Sequence, residues 1–285
     1  MLKTDIPELV LFFDLEWVPD AEAARKIYNL SPEIDEAEAM QKLWEMSPDY
    51  REEVPQPFVK YLFSRVVSIA FMSRKTVYYD GERSIEFTLN SLPKLPVETD
   101  DVDEAAIIEQ FLTIVGKRRP QLVGFNSSES DFQVLIQRGI VNEITAPLFC
   151  ERPVKNWDPG DYFRRWDNED HLDLLKLFLG SNKKMAPKLD DLAKLCGFPG
   201  KIDVAGDQVW KLWLERNITK IIEYNQLDVL NTYLVWLRVI FFTGRLSEEQ
   251  YAAELLDFRS FLEAKAELPE FSHLGPFLSA WNAAI

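Results

Sequence analysis

The most informative stretch of the sequence is Leu11-Phe-Phe-Asp14-Leu-Glu16-Trp17. The apolar run over residues 10–15 is short and bounded by polar residues, which is typical of a buried strand. Because side chains alternate across a strand, Asp14 and Glu16 point to the same face. Two carboxylates at the end of a buried strand repel each other unless they are protonated or share a cation. The stretch therefore fits a divalent-ion site with oxygen ligands, although a lone Asp-x-Glu more often marks a strand that reaches solvent.

Two later stretches add further acids. Residues 122–135 predict a short strand, a loop containing Asn126, and a helix with Asp131 in its first turn. Farther on, Tyr224 and Asp228 are four residues apart and share one face of a predicted helix. Each stretch also has a structural interpretation, since Ser128-x-x-Asp131 resembles a capping box and the helix fits an ordinary amphipathic pattern.

Strand patterns lie mainly in the first half of the chain and helical patterns in the second, which predicts an α/β fold with a mixed sheet flanked by helices. We expect one domain over residues 1–285, with an acidic helical insertion at about 20–58 outside the core and a helical extension from about 245. Residues 62–72 and 76–79 predict a hairpin turning at 73–75. The other predicted elements are a strand at 121–124, helices at 103–115, 128–138, 172–180, 188–196, 206–215 and 217–243, and a capping-box helix start at 247–250.

Bulk composition limits the possible classes of protein. Hydrophobic residues make up 47% of the chain, which is enough for a sizeable core. Cys150 and Cys196 are far apart without a CxxC pattern, which excludes a disulfide framework and a cysteine-rich zinc site and favours a reducing cytoplasm. The apolar run at 9–13 is too short for a signal peptide or a membrane span, so we expect no membrane contact. The net charge of −15 argues mildly against a nucleic-acid partner, because proteins that grip duplex phosphates over many contacts are usually basic.

Taken together, the three acidic stretches resemble the motifs of DEDD exonucleases in the RNase H-like superfamily, which includes polymerase proofreading domains. The matching patterns are Asp-x-Glu on a first strand, Asn-x4-Asp at a strand–helix junction and Tyr-x3-Asp on a late helix. Tyr224 resembles the marker of the DEDDy subgroup. Residues 188–204, 207–210 and 224–237 look like the predicted PolB-like 3′–5′ exonuclease family. The resemblance covers about residues 8–240, with 20–58 and the tail after 245 matching poorly.

The resemblance implies an RNase H-like fold and two bound divalent ions, Mg²⁺ or Mn²⁺. It makes Asp14 the ligand of both ions, with Glu16 and Asp228 completing the site that activates water and Asp131 holding the second ion. Such ions lie about 3.5–4 Å apart and stabilise the attacking and leaving oxygens of a phosphoryl displacement. Tyr224 is expected to orient the attacking water, since a phenol titrates near 10.

Substrate contacts are predicted less directly. Asn126 and the backbone around Trp17 are candidates for holding the terminal nucleotide. Residues 152–166 interleave basic and aromatic side chains, so Arg164 and Arg165 are candidates for gripping a single strand, although the aromatics equally fit packing on the domain surface. In the segment His171-Leu-Asp173 we expect helix-start or capping roles in preference to roles in the site.

The sequence thus predicts a 3′–5′ exonuclease that releases nucleotides from the 3′ ends of single-stranded DNA or RNA. The alternative is a catalytically weak or inactive RNase H-like module that binds or scaffolds beside a nucleic-acid-processing partner. The acidic segment at 20–58 is compatible with docking a basic protein partner under either hypothesis.

Overall fold

The computed structural model describes residues 5–99, 101–155, 158–164, 169–179, 183–202 and 208–283 of the chain. Within these residues, five strands form one mixed sheet in the order β3-β2-β1-β4-β5. β2 pairs antiparallel with β1 and β3, whereas β4 runs parallel to β1 and β5 parallel to β4. The strands are β1 (Leu9–Pro19), β2 (Ser64–Tyr79), β3 (Glu82–Leu92), β4 (Gln121–Gly124) and β5 (His171–Asp173).

Helices cover both faces of this sheet, so the predicted α/β class with N-terminal strands and C-terminal helices is confirmed, in an arrangement consistent with an RNase H-like fold. Ser247 and Gln250 form the predicted capping box. No described helix combines the length and apolar character needed to cross a membrane. The helices are α1 (Ala21–Tyr28), α2 (Glu36–Glu45), α3 (Glu104–Arg118), α4 (Asp131–Val141), α5 (Pro147–Cys150), α6 (Leu174–Phe178), α7 (Leu189–Leu195), α8 (Val209–Leu214), α9 (Ile218–Phe242), α10 (Glu248–Ala266) and α11 (Leu274–Ala283).

Side chains of the central strand β1 alternate between two apolar layers, one on each face of the sheet. On the α9 face, the ring of Phe12 packs against Tyr233 and Trp236, with ring centroids 5.2 and 5.1 Å away. Asp14 and Glu16 continue this face beyond Phe12. The period of two therefore directs both carboxylates toward α9 at the point where the apolar packing ends.

The predicted hairpin is wrong in its turn. β2 continues straight through residues 73–75, and the chain reverses at Asp80-Gly81, where φ is 51° and 87°. An Asp-Gly pair suits a tight hairpin turn because both residues accept positive φ. Arg74 looked like a turn residue but is fully buried, because its guanidinium donates to both carboxylate oxygens of Glu254 at 2.8 and 2.9 Å.

The acidic segment at 20–58 was expected to lie outside the core, and for α2 this is wrong. Met40, Leu43 and Trp44 are buried in the apolar layer that also contains Ile221 and Ile222 from the start of α9. Glu36, at the start of α2, accepts a 2.6 Å hydrogen bond from the indole of Trp213 on α8. The helical content of the segment is as predicted, but one face of α2 belongs to the core.

The C-terminal helices complete the apolar layer on the α9 face. Phe258 of α10 lies 4.3 Å from Tyr233 of α9 between ring centroids, and Phe277 of α11 is fully buried. Glu254 of α10 supplies the acid that pairs with Arg74 of β2. Residues after 245 are therefore packed into the same core that positions α9.

Candidate metal centre and active site

Three carboxylates meet at the junction of β1 and α9. One oxygen from each of Asp14, Glu16 and Asp228 lies within 4.8 Å of the other two. Asp228 is 7% exposed and Glu16 is 9% exposed, so the acids face each other with little solvent between them. The strand period of two brings Asp14 and Glu16 together, and the packing of α9 on the same face adds Asp228.

Asp131 approaches β1 from the side on which β4 pairs with this strand. β1 pairs with β4 only as far as Phe12, so the amide of Leu15 has no strand partner on that side. Oδ1 of Asp131 accepts this amide at 3.1 Å, and Oδ2 accepts the hydroxyl of Ser130 at 2.6 Å. The capping-box interpretation of Ser128-x-x-Asp131 is wrong, because the helix starts after Ser130 and the carboxylate of Asp131 turns toward β1.

Asp173 supports the loop that presents Asp131 through hydrogen bonds to the backbone amides of that loop. The carboxylate of Asp173 accepts the amides of Asn126 and Ser128 at 2.8 and 3.1 Å, and also caps the start of α6. Gly124 is required at the start of the loop, because a Cβ there would lie 2.4 Å from that of Ser127. The capping role expected for Asp173 is thus confirmed, and the same carboxylate also shapes the second acidic stretch.

His171 ends up in a strand and not at a helix start. It belongs to β5, where its Nε2 lies 2.9 Å from the hydroxyl of Ser127. The ring packs against Phe132 and Phe13, with centroids 4.9 and 5.8 Å away. Burial lowers the pKa of His171 to about 4, so the ring is neutral at neutral pH.

A lysine that sequence reasoning did not single out enters the acid cluster. Lys201 lies 3.2 Å from Oδ2 of Asp228, and its ammonium donates to the hydroxyl of Tyr224. The side-chain amide of Asn231 on α9 holds Gly200 through both its backbone N–H and C=O, at 3.1 and 3.0 Å. Residues 188–204 contain this lysine within the family-like stretch, but no local pattern shows that it reaches α9.

Burial and mutual repulsion dominate the electrostatics of the cluster. Burial raises the pKa of Asp14 well above its usual range, and the charges of Asp131, Glu16 and Asp228 raise it further. The pKa values of Glu16 and Asp228 are also raised, mainly by burial, while Lys201 partly offsets the effect. Burial raises the pKa of Asp131 to about 6. The four acids thus form a pocket in which negative charge is unfavourable without a cation.

The phenol of Tyr224 is oriented toward the acids. Burial, followed by the charge of Asp228, raises its pKa far above the usual range, so it stays protonated. Its hydroxyl also hydrogen-bonds the carboxylate of Asp228. The four-residue spacing on α9 therefore brings both groups into one pocket, as the sequence predicts.

The residues predicted to bind substrate differ in their exposure and contacts. Trp17 follows Glu16 in the chain and is half-buried, with the ring of Tyr61 edge-on at 6.4 Å. The side chain of Asn126 is exposed, and its backbone adopts a φ of 63°. Arg164 lies 3.7 Å from Asp161, and the predicted contact of Arg165 lies outside the described residues.

The aromatics next to these arginines contact other rings of the domain where the structure describes them. The hydroxyl of Tyr162 donates to the carbonyl of Pro120 at 2.8 Å, and its ring stacks on Phe149 at 5.4 Å. Phe163 packs edge-on against Phe132 at 5.6 Å. Tyr162 is therefore part of the core, whereas Phe163 keeps 36% of its surface exposed.

Residues 56–281 match the model of a family described as a predicted 3′–5′ exonuclease related to the exonuclease domain of PolB. The match spans most of the chain, which therefore belongs to this family. It includes Asp131, Tyr224 and Asp228 but begins after Asp14 and Glu16. It also runs through the tail after residue 245, which we expected to match poorly. A search of curated proteins finds no match.

Proposed function

We propose that this protein is a metal-dependent 3′–5′ exonuclease of the DEDDy type, with residues 1–285 forming one exonuclease domain. The observation that carries the proposal is the convergence of Asp14, Glu16 and Asp228 within 4.8 Å, beside Asp131 and Tyr224. Such a cluster costs free energy unless cations neutralise it. Membership of the exonuclease family supports nuclease activity in general.

The residues present fit two divalent ions. Every donor is a carboxylate oxygen, which suits Mg²⁺ or Mn²⁺, and burial disfavours the charged form of each acid. Asp14, Glu16 and Asp228 would hold one ion, and Asp131, together with Asp14, the other. When bound, the ions stabilise charge on the attacking and leaving oxygens at phosphorus.

The chain's own groups orient the attack. Tyr224 remains protonated because of its burial, so it serves as a hydrogen-bonding guide for the attacking water and not as a base. Lys201 fixes the phenol by donating to its hydroxyl. Burial lowers the pKa of Lys201, but the charge of Asp228, followed by those of Glu16 and Asp14, outweighs this effect and keeps the ammonium charged.

A single strand suits the surroundings of the pocket. Burial, followed by the charge of Asp131, raises the pKa of Tyr61, which places this ring near the acids, and Trp17 contacts it edge-on. These two partly buried rings are proposed to stack on a terminal base. The net charge of −15 disfavours an extended grip on duplex phosphates, and a frayed or single-stranded 3′ end requires the fewest such contacts. DNA and RNA ends are both proposed as substrates, in the reducing cytoplasm that the two free cysteines favour.

The deciding experiment is a time course on 5′-labelled and 3′-labelled single strands of DNA and of RNA, with Mg²⁺, with Mn²⁺ and with chelator. A ladder that shortens from the 3′ end only when metal is present supports the proposal. Intact strands under every metal condition, with retained binding, would instead support the alternative of a catalytically inactive binding or scaffold module.

A further inference from the structure

A groove opens beside the acid cluster, between α9 and the turn that leads into α11. Its floor is the stretch of α9 from Lys220 to Asp228. Lys201 and Ile202 form one wall, and Ser272, His273 and Pro276 form the other. The volume of about 340 Å³ falls within the range of pockets that hold small organic ligands. The groove is therefore continuous with the proposed active site and large enough for part of a nucleotide.

Position along α9 decides which part of a substrate reaches the groove. Lys220 precedes Asp228 by eight residues, which places it about 12 Å along the helix axis from the acid cluster. A released terminal nucleotide carries only the phosphate that is attacked at that cluster. A phosphate near Lys220 must therefore belong to a nucleotide farther up the strand.

His273 is a second feature of the groove that indicates a bound ligand. Its side chain is 7% exposed, and neither ring nitrogen has a hydrogen-bond partner among the described residues. Its nearest acid is Glu223, with 3.9 Å between Nδ1 and Oε1. Burial lowers the pKa of His273 to about 4, so the neutral ring offers one N–H and one lone pair. A buried polar group without a partner is costly, and His273 is one of the residues that line the groove.

We propose that this groove binds the substrate strand upstream of the scissile phosphate. Lys220 binds a backbone phosphate, His273 hydrogen-bonds a polar atom of a base or sugar, and Leu227 and Pro276 contact a base. This inference rests on the proposed function, and it gives the C-terminal segment a role in substrate binding in addition to its role in the core.

Glu223 allows the direction of an electrostatic effect on binding to be tested. It lies in the same groove, so its charge opposes a bound phosphate. Burial raises the pKa of Glu223 and the charge of Lys220 lowers it, with burial the larger effect. Glu223→Gln removes the repulsion without changing the size of the side chain, and it should strengthen binding of the strand where Lys220→Ala weakens it.

The test compares two substrates under Mg²⁺ or Mn²⁺. One is a ten-nucleotide single strand, and the other is the p-nitrophenyl ester of thymidine 5′-monophosphate, which has no upstream nucleotide. Lys220→Ala and His273→Gln should each raise KM for the strand about fivefold and leave the ester unchanged, while Glu223→Gln lowers KM for the strand. Lys220→Ala should also reduce the slope of log KM against log salt by about 0.7, the value for one lost single-strand phosphate contact.

Lys117→Ala is the matched control, because Lys117 is an exposed lysine on α3, which packs on the other face of the sheet. Lys220→Arg should restore the wild-type KM, and thermal melts verify that each variant is folded. Equal KM and salt slope for Lys220→Ala and Lys117→Ala, with an active wild type, would overturn the groove while leaving the exonuclease intact. Loss of ester hydrolysis in Lys220→Ala would also overturn it. A wild type that hydrolyses neither substrate overturns the proposed function and this inference together.

Discussion

The backbone amide of Leu15 donates to a carboxylate oxygen of Asp131 at 3.1 Å, although 116 positions separate the two residues. This bond fastens the strand that carries Asp14 and Glu16 to the start of α4. It replaces a ladder hydrogen bond that β4 no longer supplies, since the β1–β4 pairing stops at Phe12. Asp131 therefore supports the backbone of the site in addition to contributing a charge.

Substitutions of Asp131 should separate these two roles. Asp131→Asn keeps an oxygen for the Leu15 amide, so the free energy of unfolding should stay near that of the wild type. Asp131→Ala leaves a buried amide unpaired and should cost about 1–3 kcal/mol. Both variants should lose metal-dependent hydrolysis. Urea unfolding with chelator present measures the difference, and equal stabilities for the Asn and Ala variants would contradict the backbone role.

Asp14→Asn should abolish hydrolysis without unfolding the protein. The substitution removes a proposed ligand and relieves repulsion from Asp131, Glu16 and Asp228, so the metal-free melting temperature should hold or rise. Mn²⁺ at 100 times its Kd should stabilise the wild type by about 2.7 kcal/mol and the variant by far less. Asp257→Asn, an exposed acid on α10, is the control that should behave like wild type. A fully active Asp14→Asn would refute the assignment.

Tyr224→Phe should lower kcat about 100-fold, the size of loss that misplaced reacting groups produce. KM should change little, because the phenol is proposed to guide water and not to bind the strand. Since the phenol stays protonated, the pH profile of the remaining activity should keep the wild-type shape between pH 6 and pH 9. Steady-state kinetics on a single strand test both points, and a shifted alkaline limb would show that Tyr224 titrates during turnover.

Lys201→Met should affect turnover and metal affinity in opposite directions. The ammonium lies 3.2 Å from Asp228 and neutralises part of the negative charge that attracts a divalent ion. Its removal should tighten Mn²⁺ binding in calorimetry while lowering kcat, because Tyr224 loses its donor. Lys117→Met, at an exposed lysine on α3, provides the control. Weaker Mn²⁺ binding in Lys201→Met would mean that the lysine supports the ion site instead of competing with it.

Local periodicity is sufficient to predict which site residues on the same strand or helix share a face. The strand period placed Asp14 and Glu16 on one face, and the helix period placed Tyr224 with Asp228. The mixed sheet followed from the order of strand and helix patterns. Each of these inferences depends on neighbours in the chain, which is the information a single sequence provides most directly.

Long-range packing decided what the sequence did not predict. Lys201 reaches α9 because Asn231 holds Gly200, and neither residue carries a pattern that indicates this contact. Arg74 looked like a turn residue because its buried partner Glu254 lies far along the chain, on α10. The turn itself carries a local signal, since an Asp-Gly pair such as Asp80-Gly81 is typical of a tight hairpin turn.

The buried ring of His171 should make stability depend on pH. Burial lowers its pKa to about 4 from the ordinary 6.5, so between these values the unfolded chain binds a proton that the folded protein rejects. The free energy of unfolding contributed by His171 is therefore fully present above pH 6.5 and is lost as pH falls toward 4, by about 3 kcal/mol in total. His171→Gln stays neutral and keeps a hydrogen-bonding group for Ser127, so it should remove this part of the slope.

The comparison must be made as a difference from the wild type, because the cluster acids act in the opposite direction. Their raised pKa values favour proton binding in the folded state, so their contribution grows as pH falls. The chain contains two histidines, and His273 has a pKa lowered to about 4 as well. Urea unfolding at pH 7.5, 6 and 5 should therefore show that the free energy of unfolding falls less with decreasing pH in His171→Gln than in the wild type. The fall should be smallest in His171→Gln/His273→Gln. Parallel curves for all three proteins would mean that neither ring is buried in its neutral form.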